Sequence, residues 1–183
     1  MVRSRLGLGP WDAFHVGLHR LTGVSLGTAS IVTGVAIVAG SLLLGVRPGW
    51  GTLANMVLIG IFIDLLLPWV PQASSMVWGF AFYAPAILLC GLATGLYIDA
   101  GLGKGPRDGL MIGLSVRTGW PVGRVRMMIE LTALSLGWVM GGRVGVGTLL
   151  FALAIGPATQ WGLSIFGVQE GFPHNAPSME PST

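Results

Sequence analysis

Charge is scarce in this sequence: seven acidic and ten basic side chains make up 9% of 183 residues, against about a quarter in an average soluble domain. A chain so poor in charge cannot coat a water-facing surface, which excludes an ordinary soluble globular fold. Cysteine is almost missing. The one thiol, Cys90, stands in an uncharged stretch, which excludes a disulfide framework and a cysteine metal site and leaves a small apolar packing residue. Met1-Val-Arg-Ser-Arg5 is followed by Gly7-Leu-Gly-Pro-Trp-Asp12 and not by a long apolar core, so a cleavable signal peptide is not expected. No second, polar composition marks a soluble domain, and a single domain follows. The net charge of +3 does not point to nucleic acid, because the basic residues stand singly at the ends of apolar runs, where they anchor and orient membrane segments.

What the chain has instead is apolar length. Hydrophobic residues make up 52% of it and its mean hydropathy is +0.76. A span needs about 20 residues to cross a hydrocarbon core of about 30 Å. Leu26–Val46, Gly51–Val70, Met76–Ile98 and Val144–Val168 qualify, with Asp64 the only formal charge among them. A fifth stretch, from Gly123 to Gly142, is apolar beyond Arg126 apart from Glu130. The expectation is an all-α polytopic bundle of five spans. Pro- and Gly-rich turns at Arg47–Gly51, Pro68–Gln72 and Arg143–Gly145 predict that consecutive spans are antiparallel neighbours. Trp50, Trp69, Trp78, Trp120 and Tyr97 fall near span ends, as an interfacial aromatic belt requires. From residue 168 the chain turns polar and proline-rich, and a disordered tail over 168–183 is expected.

The chain also repeats itself. Adding 96 to a residue number pairs Gly7 with Gly103, Gly9 with Gly105, Pro10 with Pro106, Asp12 with Asp108, Thr22 with Thr118, Arg47 with Arg143, Thr52 with Thr148 and Gly60 with Gly156, without a gap. Shared Pro, Asp, Thr and Arg positions argue for a tandem duplication: repeat one over 1–71, lacking a leading span, and repeat two over 72–167. Either five spans suffice or the start lies upstream. Three spans separate the two Gly-Pro turns, so the copies should enter the membrane from opposite faces. One face then holds Arg3, Arg5, Arg20 and Arg143, and the other Arg47, Lys104, Arg107, Arg117, Arg124 and Arg126. This excess favours a cytoplasmic C-terminus.

Each copy opens on Gly-Pro-x-Asp, at Gly9–Asp12 and Gly105–Asp108. Proline suits a first helical position, and the aspartate falls in the first turn, facing the positive end of the helix dipole. From Pro10 to Thr22 the chain runs 13 residues, or roughly 20 Å at the helical rise, too short to cross. The segment is a half-helix dipping into the bundle or a helix in the interface. Asp12 and Asp108 are helix caps on one reading and caps that also line a site on the other. Glu130 needs a partner within the membrane, and Arg126 lies four residues earlier on the same helical face. The pair holds the bundle together or forms a substrate or proton site. Asp64 and its counterpart Gln160 keep a polar residue at one place in both copies, for interfacial anchoring or a shared lining. Gly-xxx-Gly spacings at Gly23/Gly27, Gly91/Gly95, Gly119/Gly123 and Gly137/Gly141 fit close helix packing.

Gly101–Pro106 resembles a phosphate loop only superficially, since no strand precedes it and no Gly-Lys-[Ser/Thr] closes it. His15 and His19 stand four apart, but no third ligand lies nearby. His-Glu-x-x-His is absent. No metal or other cofactor and no catalytic group are expected, and the chain is not expected to be an enzyme.

Gly7–Asp12, the Gly-Thr-Leu turns at Gly51–Leu53 and Gly147–Leu149, Gly103–Asp108, and Arg126-x-x-x-Glu130 together resemble the YczE/YyaS/YitT-type small bacterial membrane proteins, over residues about 6–166. The resemblance implies a multi-pass protein of the bacterial inner membrane, in a family whose members usually carry one more N-terminal helix. The expected function is a small-molecule transporter or exporter with its substrate between the repeats, near Asp12, Asp108, Arg126 and Glu130; the alternative is a non-transporting scaffold or accessory protein. The lipid bilayer and an unidentified small molecule are the expected partners, nucleic acid is not, and a homo-oligomer stays open.

Overall fold

The computed structural model describes residues 1–100 and 105–166; residue 167, the expected tail over 168–183 and part of the second Gly-rich turn lie outside them. All regular structure among the described residues is helical. Seven helices follow in order: α1 Pro10–Thr22, α2 Leu26–Leu43, α3 Trp50–Leu66 with a short 3-10 turn at Leu67–Trp69, α4 Met76–Asp99, α5 Pro106–Thr118, α6 Val122–Val139 and α7 Val146–Ile165.

Their boundaries follow from local chemistry. Pro10 and Pro106 open α1 and α5 behind extended Gly9 and Gly105. Gly23 and Gly119 close them in the left-handed region, at φ 76° and 71°, which a residue without a Cβ reaches at little cost. Their N–H groups donate to the carbonyls of His19 and Ser115. At α3, Gly49 N–H donates to Thr52 Oγ1 at 3.2 Å while Thr52 N–H donates to the Gly49 carbonyl; Gly145 and Thr148 repeat the exchange at α7. The starts of α1, α2 and α3 thus fall 96 residues before those of α5, α6 and α7.

Four helices, α2, α3, α4 and α7, have the length and apolarity of a membrane span. The fifth expected span, α6, has 18 residues and carries Arg124, Arg126 and Glu130, which set it apart from the other four. The exterior is apolar, as lipid contact demands. Trp50 and Trp69 bound α3 and are 86% and 82% exposed; their separation along the helix is about 30 Å, the thickness of a hydrocarbon core.

Packing is set by small residues. α4 lies on α7 where Gly91 and Gly95 meet Ala158 and Gly162, and α6 lies on α1 where Gly137 meets the Ala13 backbone. α2 packs on α3 through Gly27 and Gly60, and also on α5, where Leu44 and Val46 just beyond its end cover Gly113. The expectation that consecutive spans are neighbours holds for α2 and α3 only. α3 does not pack on α4, nor α6 on α7, because the small-residue faces of α6 and α7 are matched to α1 and α4 instead. Gly23 and Gly119 serve as helix ends and touch no neighbouring helix.

Arginines tie the ends. Arg20 donates to the Gly141 carbonyl at 2.6 Å and Arg3 to that of Leu67 at 3.4 Å, while Arg117 donates to the Leu43 carbonyl at 3.4 Å. The last turn of each short helix thus reaches the connection between the two long helices of the other half.

Candidate functional site

The two Gly-Pro-x-Asp turns meet. Arg107 lies with its guanidinium carbon 4.4 Å from the centroid of the Trp11 ring, and these two residues hold the same position, x, in their copies of the turn. A cation on an indole face at this distance is attracted by the ring quadrupole, by roughly 0.5–2 kcal/mol. The first turns of α1 and α5 are thus linked through these two long side chains, with Asp12 and Asp108 one residue further along each helix.

Arg107 is the charge around which the site is organised. The carboxylates of Asp12, Asp108 and Glu130 and the Tyr97 hydroxyl all act on its guanidinium. Its side chain is exposed, and these groups lie within electrostatic reach of it. Tyr97 donates from its hydroxyl to Asp108 Oδ2 at 3.1 Å. Arg126 Nε donates to Glu130 Oε1 at 3.1 Å, the pair being half-exposed and a third exposed. Met111 and Gly113 form the buried side of α5, and Ala13, His15 and Gly17 that of α1.

Burial raises the Asp12 carboxyl above its ordinary value of 3.8, with the Arg107 charge acting in the opposite direction. Burial also lowers His15 to about 4, and Arg107 adds to that effect. His15 is therefore a neutral imidazole at physiological pH. His19 is engaged elsewhere, its Nδ1 lying 2.6 Å from the Val24 carbonyl, and no group of three metal-ligating side chains exists among the described residues.

The structure thus brings together Asp12, Asp108, Arg126 and Glu130 and leaves Asp64 apart. Asp64 accepts from Gly27 N–H at 2.7 Å and from the Ser25 hydroxyl, binding the last turn of α3 to the first turn of α2. Gln160 lies exposed toward the end of α7. Gly9, Pro10, Gly105 and Pro106 form the turns that carry the aspartates.

Several participants differ from their sequence reading. Arg107 was expected only among the basic residues of one membrane face, whereas it lies over Trp11 within electrostatic reach of three carboxylates; the expected pairing of Arg126 with Glu130 is present. Tyr97 was expected in the aromatic belt, yet its hydroxyl is spent on Asp108. Tyr83 joins it on α4: its ring packs on Gly147 and Leu6, its hydroxyl is buried with no partner among the described residues, and the Asp12 charge reaches it. One signal was available, since the chain's only two tyrosines both stand on the span leading into repeat two. Cys90 is exposed on the same helix, within electrostatic reach of Asp12 and Arg107.

Gly23-Val24-Ser25-Leu26-Gly27 has the Gly-x-Ser-x-Gly spacing of a nucleophile elbow. The elbow requires a strand before the serine, whereas a helix end precedes this one. Ser25 caps α2, accepting from Thr28 N–H at 3.1 Å.

The chain is 43% identical over 152 residues to the "Uncharacterized membrane protein YczE" of Bacillus subtilis, covering 82% of this chain and 71% of that one. It is 35% identical over 165 residues to an "Uncharacterized protein" of Haemophilus influenzae, covering 90% and 76%, and 28% identical over 156 residues to the "Uncharacterized protein YyaS" of Bacillus subtilis, covering 81% and 76%. No solved structure matches it. Residues 1–163 match the model of the family of unknown function DUF6198, and the chain, a membrane protein by its apolar helices and its similarity to YczE, belongs to that family.

Proposed function

We propose that this protein is a multi-pass transporter or exporter of a small molecule in the bacterial inner membrane, built from a duplicated unit whose two copies are inverted relative to each other. Helices interrupted at membrane depth are tolerated where protein or a water-filled cavity satisfies the freed backbone. In transporters built from inverted repeats, such half-helices converge on the substrate site. The observation that carries the reading is the contact of Trp11 with Arg107, one residue from each half-helix, set among Asp12, Asp108 and Glu130. Ionisable groups inside a membrane bundle are costly to keep and mark pathways for substrates or protons.

The site would act by exchanging partners. Tyr97 holds Asp108 and Arg126 holds Glu130, while Asp12 and Arg107 act on each other through space. A substrate with a charged or hydrogen-bonding head would take over one of these pairings.

Uptake or efflux across a panel of radiolabelled amino acids, organic cations and organic acids in vesicles carrying the wild type tests the proposal. Asp108→Asn and Glu130→Gln are expected to reduce the transported signal at least tenfold while leaving insertion intact. No signal for any compound, or a signal unchanged in both stable variants, would support a scaffold role for this bundle.

A further inference from the structure

The two halves share a pattern of residues but do not share a packing. In the first half α2 and α3 are clasped at one end: Gly27 lies directly against the Gly60 carbonyl, and Asp64 accepts from Gly27 N–H at 2.7 Å and from the Ser25 hydroxyl. The positions 96 further on are Gly123, Gly156, Gln160 and Pro121. A Cβ placed on Gly123 or on Gly156 would meet nothing within 4 Å, both glycines are exposed, and α6 and α7 do not pack on each other.

The seam between α6 and α7 is therefore apart at its far end. The two helices are joined through Gly141–Gly145, beside Arg20, and each is held by another helix, α6 by Ala13 of α1 and α7 by Gly91 and Gly95 of α4. Away from that connection, neither Gly123 of α6 nor Gly156 of α7 meets a neighbour. Gly123, Arg126 and Glu130 fall on one stripe of α6 at spacings of three and four, so the stripe bearing the exposed glycine also bears the ion pair of the site.

Glycine is among the poorest helix formers. Gly27 and Gly60 have a use, because their missing side chains let two backbones touch. Gly123 and Gly156 have none in this arrangement. The clasp also differs between the halves: a carboxylate and a serine hydroxyl hold the first seam, while proline and a neutral amide stand at those places in the second. The second seam keeps the surface that permits closure and lacks the charged clasp that would fix it.

We propose that α6 and α7 form the moving gate of this protein, closing by docking Gly123 against Gly156 as Gly27 docks against Gly60, and opening to give access to Arg126 and Glu130. The proposal rests on the reading of the chain as two copies of one unit and extends it by naming which seam moves.

Double electron–electron resonance in nanodiscs tests it, in a Cys90→Ala background. Spin labels at Arg124→Cys and Trp161→Cys span the second seam; labels at Thr28→Cys and Leu65→Cys span the first. The first pair is expected to give two distances, the shorter matching the single distance of the second pair. Gly123→Leu or Gly156→Leu should remove the shorter distance, and Pro121→Ser with Gln160→Asp, which rebuilds the clasp, should enrich it several-fold. A single long distance unchanged in all these variants overturns the gate, as does a short distance that survives both leucines. A short distance in protein labelled only at Arg124→Cys also overturns it, since the seam would then join two copies. Transport is read separately: two distances without transport sink the transport reading alone, and transport with one fixed distance sinks the gate alone.

Discussion

Asp12 is the residue at which burial and charge compete most openly. Its carboxyl is held above 3.8 because burial disfavours the ionised form more than Arg107 favours it. The sign for stability follows: the protonated form contributes favourably below the ordinary pKa, and that contribution is lost as pH rises through the raised one. Purified protein is therefore expected to lose this contribution, and with it melting temperature, as pH rises from about 3.8 upward. Asp12→Asn should flatten this dependence and raise the melting temperature at pH 8, by the equivalent of about 1 kcal/mol, while transport falls. A variant that melts lower than the wild type at pH 8 would show that Asp12 is stabilised in its ionised form.

Which side chains serve the site was only partly legible. The aspartates stood out because both copies carry them, and the Arg126–Glu130 pair because four residues is one helical turn. Arg107 was hidden by the comparison that revealed its neighbours: position x is tryptophan in one copy and arginine in the other, so matching the copies discards it. Only three-dimensional contact shows that the unlike residues at this one position meet each other. Tyr97→Phe is expected to leave the helix intact, losing one hydrogen bond worth about 1–2 kcal/mol because its acceptor is charged, and should be visible as reduced thermal stability.

At the scale of elements, the short helices, their glycine ends and the apolar spans followed from local rules: proline at a first turn, a left-handed glycine at a last one, and enough apolar residues to cross lipid. Helix partners did not follow. Thirty glycines supply many small-residue spacings, and only backbone contact distinguishes Gly91 and Gly95, which meet α7, from Gly123, which meets nothing. Leucine substitution should separate them. Gly137→Leu would drive a side chain into the Ala13 backbone and is expected to cost more than about 2 kcal/mol through overpacking. Gly156→Leu should be tolerated within about 1 kcal/mol, or gain helix propensity, in the arrangement seen here. Thermal unfolding in detergent compares them, and equal losses would mean that both glycines are packed.

At the scale of the whole molecule, the paired halves follow from arithmetic on the sequence, since a register of 96 residues returns in the starts of three helix pairs. The exchange of partners, α1 on α6 and α2 on α5, could not be read that way, because repetition in sequence says that two units match and not how they interlock. The most direct test concerns the connections after the short helices, at Val24 and at its counterpart Trp120. Single cysteines there, in a Cys90→Ala background, can be labelled in intact cells with a membrane-impermeant maleimide. Labelling of one position from outside, and of the other only after the membrane is opened, is the result expected of inverted halves; labelling of both from the same side would contradict them.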